Sequence, residues 1–239
     1  MSADSHVLTL SLPMLRAALL MSAKSDIRYY LNGIYVDTAA GRIVGTDGHV
    51  MFCGTGPVKP DCAPFIIPRD TLESILKALK PTRVDECTVI VPNDARAAAD
   101  KTRVLAFITP NDGRIHAKEC DGRFPDYMRV LPTAPTAWPG ARPTMGDGRT
   151  DENITLSTHA NPALVLRAYD AITLARDVTL YSKGGNKPHG VTSTLCGRTL
   201  LIHDSAPGAV AIVMGMNGHD TDATAVLNWA HKRPESAAA

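Results

Sequence analysis

Residues 64–81 read PFIIPRDTLESILKALKP, a stretch that holds a complete folding instruction. Phe65-Ile66-Ile67 is a short apolar run suited to a buried strand. Pro68 follows, and a helix tolerates proline at its first turn, where the missing N–H has no intrahelical partner. Leu72, Ile75, Leu76 and Leu79 then recur on one helical face, and Pro81 stops the run. The spacing predicts a strand that turns directly into an amphipathic helix of about three turns.

The same sentence is written twice more. Upstream, His6–Leu10 is extended, Pro13 stands at a helix start, and Leu12, Leu15, Leu19 and Ser22 fall at helical spacing. Strands are expected over Arg28–Asp37, Arg42–Thr46 and Val50–Gly54. Behind the middle helix, strands are expected over Cys87–Val91, Ala95–Ala99, Arg103–Thr109 and Arg114–Cys120. Downstream, Asn153–Ser157 opens a third unit. Asn161 is a good cap for a helix from Pro162, with Leu164, Ala168, Ile172 and Ala175 as its buried stripe. Strands are expected over Val178–Ser182, Gly190–Leu195, Arg198–His203 and Ala209–Met216.

Three helix-plus-strands units predict an α+β architecture, with sheets on one side and helices on the other. The organisation expected is a complete two-unit domain over 1–132, a linker over 133–152 rich in proline and glycine, a half domain over 153–217 and a tail over 218–239.

Bulk properties narrow the function. The 239 residues carry a formal net charge of +1, so any nucleic-acid surface must be local. No run approaches the ~20 apolar residues of a membrane helix, and MSADSHVLTLSL lacks the features of a secretion signal. The scattered cysteines Cys53, Cys62, Cys87, Cys120 and Cys196 form no C-x-x-C pair, which points to a reducing, cytoplasmic setting without disulfides or structural zinc.

Enzyme signatures are lacking. No G-x-S-x-G elbow occurs, and Lys183–Lys187 (KGGNK) lacks the order of a phosphate-binding loop, so it reads as a hairpin loop. Asp47 with His49, His203 with Asp204, and His219 with Asp220 and Asp222 could ligate a metal. None has the spacing that sets two imidazoles on one helix face, so loop and surface roles are expected, with no metal and no cofactor. Positive charge is modestly enriched on the helices: +2 over 12–24, +1 over 69–80 and +1 over 162–176, against +1 for the whole chain.

Several ordered segments carry a family resemblance. Ile27–Ile34 reads IRYYLNGI, Gly45–His49 reads GTDGH, Ile66–Arg69 reads IIPR, Cys120–Pro132 reads CDGRFPDYMRVLP and Ile212–Met216 reads IVMGM. In this order and spacing they resemble the middle domain and C-terminal strand of bacterial DNA polymerase sliding clamps, the beta subunit type. The likeness is close over Leu8–Pro132 and weaker over Thr158–Met216.

The resemblance implies a clamp fold with helices inside and sheets outside, no catalytic residue, and a ring that encircles double-stranded DNA without reading its sequence. It implies a partner pocket made by Leu31, Thr46, Gly48, His49, Val50, Met51, Pro125, Arg129, Val130, Ile212, Val213, Met214 and Met216. A DNA polymerase, other clamp-binding proteins and a clamp loader would be the partners. An apolar groove with a few polar edges suits anchor side chains of a short peptide. DNA-facing positions are implied at Tyr29, Tyr30 and Arg69. Helix position adds Arg16, Lys24, Lys77, Lys80, Arg167 and Arg176, all as phosphate contacts.

The sequence departs from the family at Val50, Gly215 and Asn217, where arginine, proline and arginine are usual, and in continuing past the family's C-terminal strand. The tail offers Leu227 and Trp229 as a self-ligand for the pocket, against a plain surface helix. Family rings close from twelve units, so three units per chain predict a homotetramer, with a trimer as competitor. The alternative function is a clamp-like interaction module or decoy that never encircles DNA.

Overall fold

The computed structural model describes residues 5–79, 85–93, 102–109, 113–131, 161–175, 191–195, 198–202 and 208–214. Strand β1 (Ser5–Ser11) alternates exposed and buried positions, turning His6, Leu8 and Leu10 inward. It passes directly into α1 (Leu12–Met21), where proline occupies the first turn. This helix is buried on most of its circumference: Leu12, Met14, Leu15, Ala17, Ala18, Leu19 and Met21 are all shielded. Such all-round burial marks a helix enclosed by other elements.

Helix α1 ends earlier than its spacing predicts. The Ser22 amide donates to Ala18 O at 2.9 Å and its hydroxyl donates to Leu19 O at 2.9 Å, so Ser22 closes the last turn. Lys24 therefore lies beyond the helix. The strand expected from Arg28 also starts later. Asp26 Oδ1 accepts from the Arg28 amide at 2.8 Å, and Asn32 Oδ1 accepts from the Asp26 amide at 2.8 Å. These local bonds compete with a strand ladder, and Tyr29–Leu31 forms a single 3-10 turn instead.

Strands β2 (Gly33–Asp37), β3 (Arg42–Thr46) and β4 (Val50–Thr55) form a meander. The second unit follows as β5 (Phe65–Pro68), α2 (Arg69–Leu79), β6 (Glu86–Pro92), β7 (Val104–Ile108) and β8 (Arg114–Lys118). In α2 the expected stripe is buried at Leu72, Ile75 and Leu79, while Leu76 is only half-buried at its edge. The third unit contributes α3 (Pro162–Leu174), β9 (Val191–Leu195), β10 (Arg198–Ile202) and β11 (Ala209–Met214). Asn161 caps α3, its Oδ1 accepting from the Ala163 amide at 3.0 Å. Strands expected over Ala95–Ala99, Asn153–Ser157 and Val178–Ser182, and the loop Lys183–Lys187, lie outside the described residues.

The first two units exchange their leading strands. β1 joins the second unit's sheet in the order β1-β6-β7-β8, while β5 joins the first unit's sheet beside β2. The third unit then extends that sheet to seven strands in the order β5-β2-β3-β4-β11-β10-β9. The seam is the antiparallel pairing of β4 with β11, from Ala209 opposite Gly54 to Val213 opposite Val50.

Helices α1 and α3 pack together on one face of this sheet. Gly45 permits the approach: a Cβ there would stand 1.9 Å from the Ala18 carbonyl oxygen. The main core fills this helix side with Leu15, Phe52, Ile67, Phe107, Ala171 and Val213 among others. A smaller core lies on the opposite face, around Leu31, Val44, Met51, Ile66, Phe124 and Ile212. A buried ion pair ties the segment entering β5 to the sheet of β6, β7 and β8. Arg103 Nη2 donates to Glu119 Oε2 at 2.8 Å, and the guanidinium also donates to the carbonyls of Ala63 and Pro64 at 3.0 and 2.8 Å.

Candidate functional site: a groove at the strand seam

The turn between β3 and β4 is held by its own side chains. Asp47 Oδ1 accepts from the amides of His49 and Val50 at 2.8 and 3.0 Å. Thr46 Oγ1 donates to Val50 O at 2.7 Å and accepts from the Gly48 amide at 3.1 Å. Gly48 adopts φ +92°, which favours glycine. The Met214 amide donates to His49 O at 2.9 Å, fastening the end of β11 to the turn.

Beside this turn is a cavity of about 180 Å³, lined by Arg28, Leu31, Thr46, Gly48, Val50, Met51, Pro125, Asp126, Tyr127, Val130 and Met214. Leu31 comes from the 3-10 turn before β2, and Val130 from just beyond a second 3-10 turn, Tyr127–Arg129. That second turn is anchored from below, where the Tyr127 hydroxyl donates to Asp37 Oδ2 at 2.8 Å. Burial, then Asp37 beside it, pushes the Tyr127 phenol well above its ordinary range. A broader hollow of about 720 Å³ lies on the other side of Pro125–Tyr127, floored by Tyr35, Phe65, Ile66 and Phe124. Tyr35 and Phe124 stack there with ring centroids 4.7 Å apart.

Eight of the expected pocket residues come together: Leu31, Thr46, Gly48, Val50, Met51, Pro125, Val130 and Met214 all line the cavity. His49 and Arg129 are exposed and do not line it. Ile212 is fully buried beneath it, in the same small core as Leu31 and Met51. Val213 is a correction. Successive strand residues point to opposite faces, so Val213 packs into the helix-side core while Met214 reaches the groove. Met216 lies outside the described residues.

Sequence reasoning missed Arg28, Asp126 and Tyr127, although all three sit inside the segments that carried the resemblance. Their adjacency to Leu31 and Pro125 in the sequence was the available signal. Arg28 is held at the cavity mouth by Asp26, with Nη2 donating to Asp26 Oδ2 at 2.8 Å. These hydrogen bonds from Arg28 lower the Asp26 carboxyl to about 2, and the same pairing raises the guanidinium further above its ordinary value.

The cations expected to face DNA divide into two groups. Lys24 and Lys77 are exposed and Arg16 is half-buried. Tyr29 is exposed, its hydroxyl donating to Asp121 O, and Tyr30 is half-buried beside it. Arg69 and Arg167 instead turn inward. Arg69, with 13% of its side chain exposed, donates to Ala23 O, Leu19 O and Ser22 O at 3.0, 2.8 and 3.1 Å, and ion-pairs with Glu73 at 2.9 Å. Arg167 donates to Leu20 O and Ser22 O at 2.7 and 3.0 Å and pairs with Asp47. The last carbonyls of α1 have no intrahelical donors, and two guanidinium forks satisfy them. That structural work leaves these two arginines few donors for phosphate. Lys80 and Arg176 lie outside the described residues.

The described cysteines Cys53, Cys62, Cys87 and Cys120 are free, and burial raises the thiols of Cys53 and Cys87 to about 11. Among the described residues no His, Cys, Asp and Glu side chains group as a metal site. No described helix is long and apolar enough to cross a membrane.

No protein-family model matches the chain. The beta sliding clamp of Vibrio cholerae is 35% identical over 114 residues, which is 46% of this chain and 28% of that protein. The beta sliding clamp of Escherichia coli K12 is 36% identical over 121 residues, 47% of this chain and 29% of its own length. The alignments thus span under a third of the curated relatives. Among solved structures, the DNA polymerase sliding clamp of Caulobacter crescentus aligns over 91% of this chain and 68% of its own, with TM-score 0.60 and 18% identity. That of Pseudomonas aeruginosa aligns over 89% and 66%, with TM-score 0.59 and 17% identity. The fold is therefore the α+β sliding-clamp fold, and the chain is a divergent relative of the bacterial beta sliding clamps.

Proposed function

We propose that the chain is a non-catalytic DNA sliding clamp, a processivity factor that encircles duplex DNA as a ring of several copies and tethers partner proteins through the groove at the β4–β11 seam. The observation that carries this reading is the groove itself. Eight residues from four separated segments, each expected from the family motifs, meet around one small apolar cavity with Arg28 and Asp126 at its edge. A cavity of about 180 Å³ is small for a drug-sized ligand but suits an anchor side chain of a peptide. The partners would be a DNA polymerase and other proteins bearing short clamp-binding peptides, with a clamp loader to place the ring. Exposed Lys24, Lys77 and Tyr29, with Arg16, are the DNA-facing groups on this reading, in a cytoplasmic protein.

Ring closure distinguishes a clamp from a module that only captures peptides. Three units per chain against twelve per ring favour four copies, with three as the competitor, and native mass spectrometry at micromolar concentration reads the number directly. Retention on nicked circular DNA, with any required loader present, should outlast high salt, while linear DNA loses the protein from its ends. Simple phosphate contacts weaken with a log–log salt slope of about −0.9 per neutralised phosphate. Equal salt sensitivity on circular and linear DNA, or a chain that stays monomeric, removes the clamp reading and leaves the peptide-capturing module.

A further inference from the structure

Arg167 stands on α3, yet every hydrogen bond described for it goes to the first unit. Its Nε donates to Leu20 O at 2.7 Å, one terminal nitrogen donates to Ser22 O at 3.0 Å, and the other meets Asp47 Oδ2. Only 25% of the Arg167 side chain and 16% of the Asp47 side chain are exposed, so the pair is partly withdrawn from water. The two oxygens of Asp47 divide their work. Oδ1 receives the amides of His49 and Val50, which shapes the turn, and Oδ2 receives the guanidinium. Thr46, Gly48 and Val50 of this same turn form one wall of the groove, whereas Arg167 lines no part of it.

We propose that Arg167 is a positioning residue for the groove. By holding Asp47 from the helix side of the sheet, it sets the orientation of the carboxylate and hence of the turn whose backbone forms the wall. The third unit thus contributes to the groove twice, directly through Met214 on β11 and remotely through Arg167 on α3. The planar fork is needed because three acceptors at fixed positions must be met at once, which a lysine ammonium on a flexible stem does not do. Without its cation, Asp47 would be a largely buried carboxylate short of one partner, and it would turn toward water at the expense of the His49 and Val50 amides.

The inference rests on the groove being a peptide site, and its test has two independent arms on the full chain. The first measures binding of a fluorescein-labelled synthetic peptide with leucine and phenylalanine anchors. Arg167→Ala should weaken binding roughly tenfold, Arg167→Lys should recover part of it, and Asp47→Asn combined with Arg167→Ala should cost no more than the worse single change, because coupled partners are not additive. The second measures amide hydrogen exchange at His49 and Val50, which should quicken in Arg167→Ala while the β2–β3 amides keep their rates. A quickened turn with no peptide binding even in the unsubstituted chain removes the peptide reading and keeps the positioning role. Unchanged exchange with binding within twofold of the unsubstituted chain overturns the positioning role. Should Arg167→Ala fail to fold, Arg167→Lys and Asp47→Asn carry both arms by the same criteria.

Discussion

The two faces of the β4–β11 seam are made by the same strands and are finished differently. On the helix side, Phe52 and Val213 project from neighbouring strands into a core closed by α1 and α3. On the other side, Met51, Cys53 and Ile212 sit in a smaller core that, among the described residues, is covered by 3-10 turns and the Cys120–Leu131 segment. Helices cover their face with continuous apolar stripes that join one large core. Short turns leave a gap between them, and that gap is the groove. The difference teaches that one face of the seam joins the units through a filled core, and the other is left as an open groove.

That division predicts a steep ordering of effects. Phe52→Ala removes a fully buried ring from the helix side and should cost about 3–5 kcal/mol of stability in urea unfolding. An equal loss of peptide affinity at unchanged stability would break the comparison. Val130→Ala trims a partly buried residue of the groove. It should cost about 1 kcal/mol or less of stability, while lowering affinity for an anchor peptide by about 1 kcal/mol or more in a fluorescence titration, as groove anchors do. The smallest effect concerns the groove's mouth. Asp26 titrates near 2 rather than its ordinary 3.8, so its pairing with Arg28 contributes above the ordinary value and is lost as pH falls from about 4 through about 2. Carboxyl-carbon NMR should find that midpoint, and Arg28→Ala should return it toward 3.8.

Much of the fold was legible because periodicity carried it. The apolar stripe of α2 and the Asn161 cap read correctly from spacing alone. The helix end at Met21 did not, because it depends on Ser22 turning back on Leu19 and on two arginines, Arg69 and Arg167, that arrive from distant parts of the chain. The same two residues looked like surface cations in sequence, and only packing could reveal them as caps. Arg103 and Glu119 gave no signal as a buried pair. Within the groove, the motif segments identified most of the wall. Including Val213 ignored the two-residue period of β11, which assigns 212 and 214 to one face and 213 to the other.

The seam also sets a sequence of events in time. The β2–β3 ladder pairs Asp37 with Arg42 across a short turn, and β4 pairs locally with β3, whereas the outer edge of β4 waits for partners at 209–213. Contacts between remote residues carry a larger loop-closure cost and form late. On the ribosome, where the N-terminal part folds first, β4 is complete as a strand long before β11 leaves the exit tunnel. For that interval its outer edge is an open template of backbone donors and acceptors, and the nascent N-terminal part is at its most vulnerable to pairing with the wrong strand.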